Sequence, residues 1–237
     1  MGFNIEESKK YIIIIGSLII ITLILFVGVS VFNGSSSNNT TIKEYVSLDN
    51  EHTSTLGFTS QLPIINLDST DVDRVNTIIE SDYYRALSLE DAIFSYNYSL
   101  NNNYLSLVTY FVYVDDKNNN YPNVEIKTYN FYLDTGNLVS DKELLDHFSV
   151  TLDDISNTFR DQLNKYYEEE LESMYFTKEE CNYECFLNLR GVSSYDTDIK
   201  LYVMDNELKF FRNFKVYSQY GEEQFYRNED FLFDIEK

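Results

Sequence analysis

The longest hydrophobic stretch of the chain has no period at all. From Tyr11 to Phe32, YIIIIGSLIIITLILFVGVSVF runs for 22 residues without a charge. As a helix it spans about 33 Å, enough for the hydrocarbon core of a bilayer. A soluble core helix of this length would show a polar stripe. A cleaved signal peptide would have an apolar core of about 7–15 residues and a small-x-small cleavage site, whereas here Asn33-Gly34-Ser35 follows directly. The run therefore reads as an uncleaved transmembrane signal-anchor, residues 11–32. Lys9 and Lys10 precede it and the first basic residue after it is Lys43. Positive charge on the near side alone makes residues 1–10 a cytoplasmic tail and puts the C-terminal domain outside the cell membrane, a single-pass topology.

Beyond the run the patterns change. NGSSSNNTT, 33–41, has nothing to bury, and 33–52 reads as a flexible tether. Residues 53–237 then alternate between periods. Thr59–Ile65 reads as a short strand. Asp68-Ser69-Thr70 offers caps for a helix with Val72, Val75, Ile78 and Ile79 at helical spacing, continuing to Leu87. Ala92–Leu100 and Tyr104–Val114 are β-branched and aromatic runs around Asn101-Asn102-Asn103, and Val124–Leu133 adds a third strand, closed by a turn at Asp134–Asn137 in which Gly136 can take positive φ. Ser140–Glu143 and Thr151–Asp154 are capping boxes, the second opening a helix with Ile155, Phe159, Leu163, Tyr166 and Tyr167 through to about Met174. A third box, Thr177–Glu180, opens a turn holding both cysteines. Ile199–Met204, Leu208–Val216 and Phe231–Ile235 complete the strands, the first two around an Asp205-Asn206 turn. The order predicts an α+β domain, antiparallel sheets packed with helices, with 53–100 and 101–237 as its candidate lobes.

Composition narrows the class. Aromatic residues make up 16% of the chain and apolar ones 43%, too many for disorder despite a net charge of -21. Residues 1–10 sum to zero, so the whole acidic excess lies beyond the apolar run. Such a charge repels phosphate backbones, and nucleic acid is not an expected partner. The two cysteines leave at most one bridge: outside a membrane Cys181 and Cys185 form a local disulfide or stay as two unpaired thiols, and an i,i+4 bridge requires a distorted turn.

Catalytic patterns are sparse. His52 and His147 share no metal-ligand spacing, and His147 reads as a packing or capping residue. No G-x-S-x-G elbow occurs. The pairs Asp153-Asp154 and Glu179-Glu180 and the run Glu168–Glu170 read as solvated helix faces, and the loop from Asp115 to Asn120 lacks the calcium-loop register. No cofactor, metal or catalytic residue is expected. The tyrosines of the strands, Tyr96, Tyr98, Tyr104, Tyr110 and Tyr113, line sheet faces or form an aromatic binding surface; the sequence fits both.

The stretches LPIINLDSTDVDRVNTIIES, FSYNYSLNNNYLSLVTYFVYV, TYNFYLDTGNLVSDKELLD and IKLYVMDNELKFF, in that order, resemble the extracytoplasmic domain of the lysozyme-sensing anti-sigma-V factors of bacilli. That domain of unknown function also occurs beside peptidoglycan deacetylases. The most specific part is Tyr129–Leu145, where Tyr129, Asn130, Phe131, Leu133, Thr135 and Gly136 carry the structural signature. The Asn-, Tyr-, Ile- and Lys-rich composition fits a low-GC bacterium. The resemblance implies an α+β domain on one membrane helix that binds lysozyme. The sigma-binding segment is expected to be missing, because ten residues precede the apolar run, and deacetylase chemistry is not carried over. The reading is a binding or sensing module, not an enzyme, its partner a cationic protein or peptide or a cell-wall glycan. A cell-wall hydrolase with paired carboxylates and a structural subunit of a membrane complex are the competing readings.

Overall fold

In the computed structural model the described residues are 44–55, 57–89, 92–101, 103–114, 122–170, 179–189, 199–220 and 223–235, all within one compact unit, Glu44–Lys237. Its elements in chain order are β1 (Val46–Thr53), β2 (Thr59–Ile65), α1 (Thr70–Leu87), β3 (Ala92–Leu100), β4 (Tyr104–Val114), β5 (Pro122–Tyr132), α2 (Asp141–Phe148), α3 (Leu152–Glu170), α4 (Tyr183–Leu189), β6 (Ile199–Met204), β7 (Glu207–Tyr220) and β8 (Glu223–Asp234). The strands form three antiparallel sheets, β1-β2, β3-β4-β5 and β6-β7-β8.

The layering follows from β4, whose side chains are buried on both faces. Leu105, Leu107 and Phe111 point to α1 and pack with its Val72, Val75, Ile79, Tyr83 and Ala86. Val108, on the opposite face, meets Ile126 of β5 and Tyr202 and Phe211 of the third sheet. That sheet turns Leu201, Val203, Leu208, Phe210 and Phe233 the other way, onto Ile155, Phe159 and Leu163 of α3 and Phe186 of α4. Two apolar cores thus lie outside the sheets, with a small one between them.

Three short sheets leave many strand edges, and the buried ones carry backbone groups that must find partners. Met204 and Glu207 close the two-residue hairpin at Asp205-Asn206, so the alternation of the ladder turns the N–H and C=O of Leu201 and Val203 away from β7. Side chains of the second sheet take their place. Ser106 and Asn130 are cross-strand neighbours on β4 and β5. Ser106 Oγ donates to Asn130 Oδ1 at 2.6 Å and accepts the Val203 N–H at 3.2 Å, while Asn130 Nδ2 donates to the Leu201 carbonyl at 3.0 Å. The same device recurs twice. Ser60 Oγ of β2 accepts the Phe94 N–H of β3 at 3.0 Å. Asn76 of α1 receives the Ile65 N–H at 2.9 Å and donates to the Ile65 carbonyl at 3.1 Å.

Local signals set the helix starts. Ser69 caps α1 by accepting the Val72 N–H. Ser140 and Glu143 form a reciprocal capping box on α2, and Thr151 and Asp154 exchange the corresponding bonds at the start of α3.

Two boundaries differ from those predicted. Residues 46–52, assigned to the tether 33–52, belong to strand β1 (Val46–Thr53); after Val46 its side chains are largely exposed, so no apolar alternation marked it. Nor do 53–100 and 101–237 form separate lobes, because β3 and β4 pair along their whole lengths across that division. Among the described residues no helix is long and apolar enough to cross a membrane; Tyr11–Phe32, the expected tail 1–10, the Asp115–Asn120 segment and Thr177-Lys178 lie outside them.

Truncating either member of the Ser106–Asn130 pair strands buried polar groups, each at about 1–3 kcal/mol. Ser106→Ala and Asn130→Ala are expected to lower unfolding free energy by about 2–4 kcal/mol each. The double variant should lose less than the sum, because both act on one network. Urea denaturation of the four proteins measures this; full additivity would refute the network.

Candidate functional site

The residues marked by the sequence converge on the end of β5 and the turn after it. Phe131 is buried in the core under α1, and Asn130 faces the third sheet. Tyr129 is half-buried, its hydroxyl unpartnered, and loss of solvation, assisted by the Asp82 carboxylate, pushes its phenol up to about 12. Leu133 packs at the margin of the α1 core, while Thr135 is exposed and accepts the Asn137 N–H at 3.3 Å. Gly136 sits at φ +69, and a Cβ there would lie 3.2 Å from the Cβ atoms of Leu67 and Ser69. Its carbonyl accepts the Ser69 hydroxyl at 2.6 Å, and Asp71 Oδ2 accepts the Leu138 N–H at 3.0 Å. The turn is therefore seated on the first turn of α1. These side chains hold the turn, α1 and the third sheet together, and of the six only Thr135 presents its side chain to solvent.

Cys181 and Cys185 are joined by a disulfide, with Cα atoms 5.2 Å apart. The pair straddles the start of α4 and does not lie within a regular helix: Cys181 precedes Asn182, whose Oδ1 accepts the Cys185 N–H at 2.9 Å, and the helix begins at Tyr183. That offset supplies the distorted turn an i,i+4 bridge needs. The bridge anchors Phe186 in the core against Tyr167, whose hydroxyl donates to the Cys181 carbonyl at 3.0 Å.

The strand tyrosines are mostly wall. Tyr104 is buried, Tyr96, Tyr98 and Tyr113 pack at the margin of the α1 core, and Tyr110 packs between the sheets. Burial raises the phenols of Tyr110 and Tyr202 far above the ordinary tyrosine range. His147 meets the rings of Tyr104 and Phe148 edge-on at 5.1 and 4.9 Å, and His52 is exposed on β1. Among the described residues no three His, Cys, Asp or Glu side chains are grouped to hold a metal ion.

Charge is distributed unevenly. Arg74, Arg85, Lys127, Lys142 and Lys209 each have a carboxylate within 4.0 Å. Arg85 and Lys127 belong to one network with Asp82 and Glu125, and the Arg85 guanidinium lies 4.1 Å above the Phe111 ring. Exposed acids such as Asp49, Asp73, Asp134, Asp153 and Glu179 have no ion pair among the described residues. Each of these pairs uses one acid for each base, so the acidic excess of the sequence is left as it was, carried by the exposed acids.

No family model and no curated protein matches the chain. The sequence reading missed Ser60, Asn76 and Ser106. Ser106, between Leu105 and Leu107, is a polar residue inside an apolar run, which is a usable signal, but its partner Val203 is 97 residues away; Ser60 and Asn76 have polar neighbours in Thr59, Gln61 and Thr77 and carry no such mark, and their partners lie 34 and 11 residues away.

Gly136→Ala forces a left-handed Cβ against packed neighbours and is expected to cost about 2 kcal/mol by urea denaturation; an unchanged midpoint would refute the seating of this turn. The Asp71 carboxyl is held below its usual range, first by the Leu138 N–H and then by Arg74. A depressed carboxylate stabilises the fold above its unfolded pKa, near 4, and the contribution disappears as pH falls through the folded value. Asp71→Asn keeps an acceptor without a titrating group, so its melting temperature should fall less steeply than that of the parent below about pH 4. Parallel acid limbs in thermal melts would exclude this contribution.

Proposed function

We propose that the chain is a membrane-anchored extracytoplasmic module that binds or senses a cationic protein, with lysozyme the type of ligand and a cell-wall component the second choice. The observation that carries this reading is the charge arrangement. The excess of -21 lies entirely beyond residue 10, and the five basic residues named above are already paired within the fold. A free anionic surface raises encounter rates with basic partners by roughly 10- to 1000-fold at low ionic strength. The uncharged run Tyr11–Phe32 supports the anchor and the outward orientation, and the resemblance of the Tyr129–Leu145 stretch to the lysozyme-sensing domains supports the ligand class. The signature residues act in this reading as the frame that presents the surface.

The test uses the full chain in lipid nanodiscs with lysozyme as the probe. Association is expected to slow about tenfold or more between 10 and 150 mM salt, as screening shortens the reach of the surface field to about 8 Å. An on-rate that ignores salt, or no binding, would overturn the reading.

A further inference from the structure

Strand β1 presents an edge that no described strand covers, since the first sheet contains only β1 and β2. The Ser54 N–H bonds the Phe58 carbonyl at 2.8 Å at the loop end of this hairpin. From there the ladder alternates, so His52 faces β2 while Glu51 and Thr53 turn their N–H and C=O groups outward. The Glu51 N–H agrees with this: it is held by the side chain of its own neighbour, Asn50 Oδ1, at 2.8 Å. This local bond is one that an incoming carbonyl can replace.

The surroundings of this edge have a definite chemistry. Asp49 and Glu51 are exposed on β1, and the Glu51 carboxylate accepts only from Gln61 among the described side chains. Leu48 is 48% exposed, and Tyr84, near the end of α1, is 52% exposed. Tyr84 lies edge-on against Tyr83 at 5.5 Å. The Tyr83 ring is fully buried, yet its hydroxyl has no hydrogen-bond partner, and it lies within the field of the Glu51 and Asp49 carboxylates. The two carboxylates, in whose field that hydroxyl lies, have no cation paired to them among the described residues, so a donor-rich, positively charged group gains charge-assisted hydrogen bonds there. Leu48, exposed on β1 itself, supplies apolar area for the methylene stem of such a side chain.

We propose that the outer edge of β1 is the docking site, and that it takes an extended segment of the cationic partner, bearing lysine or arginine at alternate positions, as an added strand. Backbone bonds to Glu51 and Thr53 give the affinity of strand addition, and Asp49 and Glu51 select the charge. The proposal rests on the cationic-ligand reading above and adds its place and mode.

Full-length protein in nanodiscs is mixed at low salt with an eight-residue peptide of alternating lysine and valine, and separately with lysozyme, while binding and backbone amide exchange are followed. Both ligands should slow exchange at Glu51 and Thr53. Asp49→Asn with Glu51→Gln should weaken peptide binding about tenfold. Glu51→Pro removes an outward N–H that the β1–β2 ladder does not use, and should weaken binding more than Glu51→Gln does. Amide protection in β4 reports that each variant is folded. If both ligands bind but the β1 amides and the variants behave as the parent does, the β1 site is refuted while the cationic-ligand reading stands. If neither binds, that reading fails and takes this one with it.

Discussion

Every buried strand edge must have its N–H and C=O groups satisfied, and this domain meets the requirement with side chains where a larger sheet would use another strand. The Ser106–Asn130 pair is the central case. A hydroxyl and an amide standing side by side on one sheet present a donor and an acceptor at about the spacing of a backbone, and the edge of β6 bonds to them. Without that pair the third sheet would have to expose its edge or bury it unsatisfied, and the cores on either side would lose their alignment. Ser60 and Asn76 extend the same logic to β3 and β2. The domain is consequently an assembly of small sheets held in register by a few polar side chains, with apolar packing filling the space they define.

This explains what the sequence disclosed. Helix α1 was legible because Ser69 caps it and Val72, Val75 and Ile79 recur at helical spacing, all within a single element. The hairpins of the second sheet were legible because aromatic and β-branched runs flank an Asn-rich turn. Strand β1 was not, because a strand with one buried residue has no alternation to read. The role of Asn130 was not legible either: its residue type stood out within an apolar strand, but the carbonyl it bonds lies 71 residues away.

The signature residues also show how a resemblance in sequence can point to a frame and miss the surface it presents. Gly136, Phe131 and Asn130 are fixed by the seating of one turn on α1 and of one sheet on another. A recognition surface answers to different constraints, exposure and charge, and the edge proposed for it, β1, lies outside that stretch. A variant screen confined to Tyr129–Gly136 would report mostly on folding.

The position of β1 has a mechanical consequence. It is the first strand of the described unit, and Val46, where the chain enters, pairs with Ile65 at the end of the ladder farthest from the hairpin loop. A pull applied through the preceding chain therefore opens the ladder one pair at a time, as a zipper, and does not shear all its bonds together. Asn66 sits across that opening point, its backbone N–H bonded to the Tyr45 carbonyl at 2.8 Å and its side chain to the Glu44 carbonyl at 3.1 Å. That residue is the latch through which load on the leading chain first reaches the fold, and a strand added along β1 would lie beside the line on which it gives way.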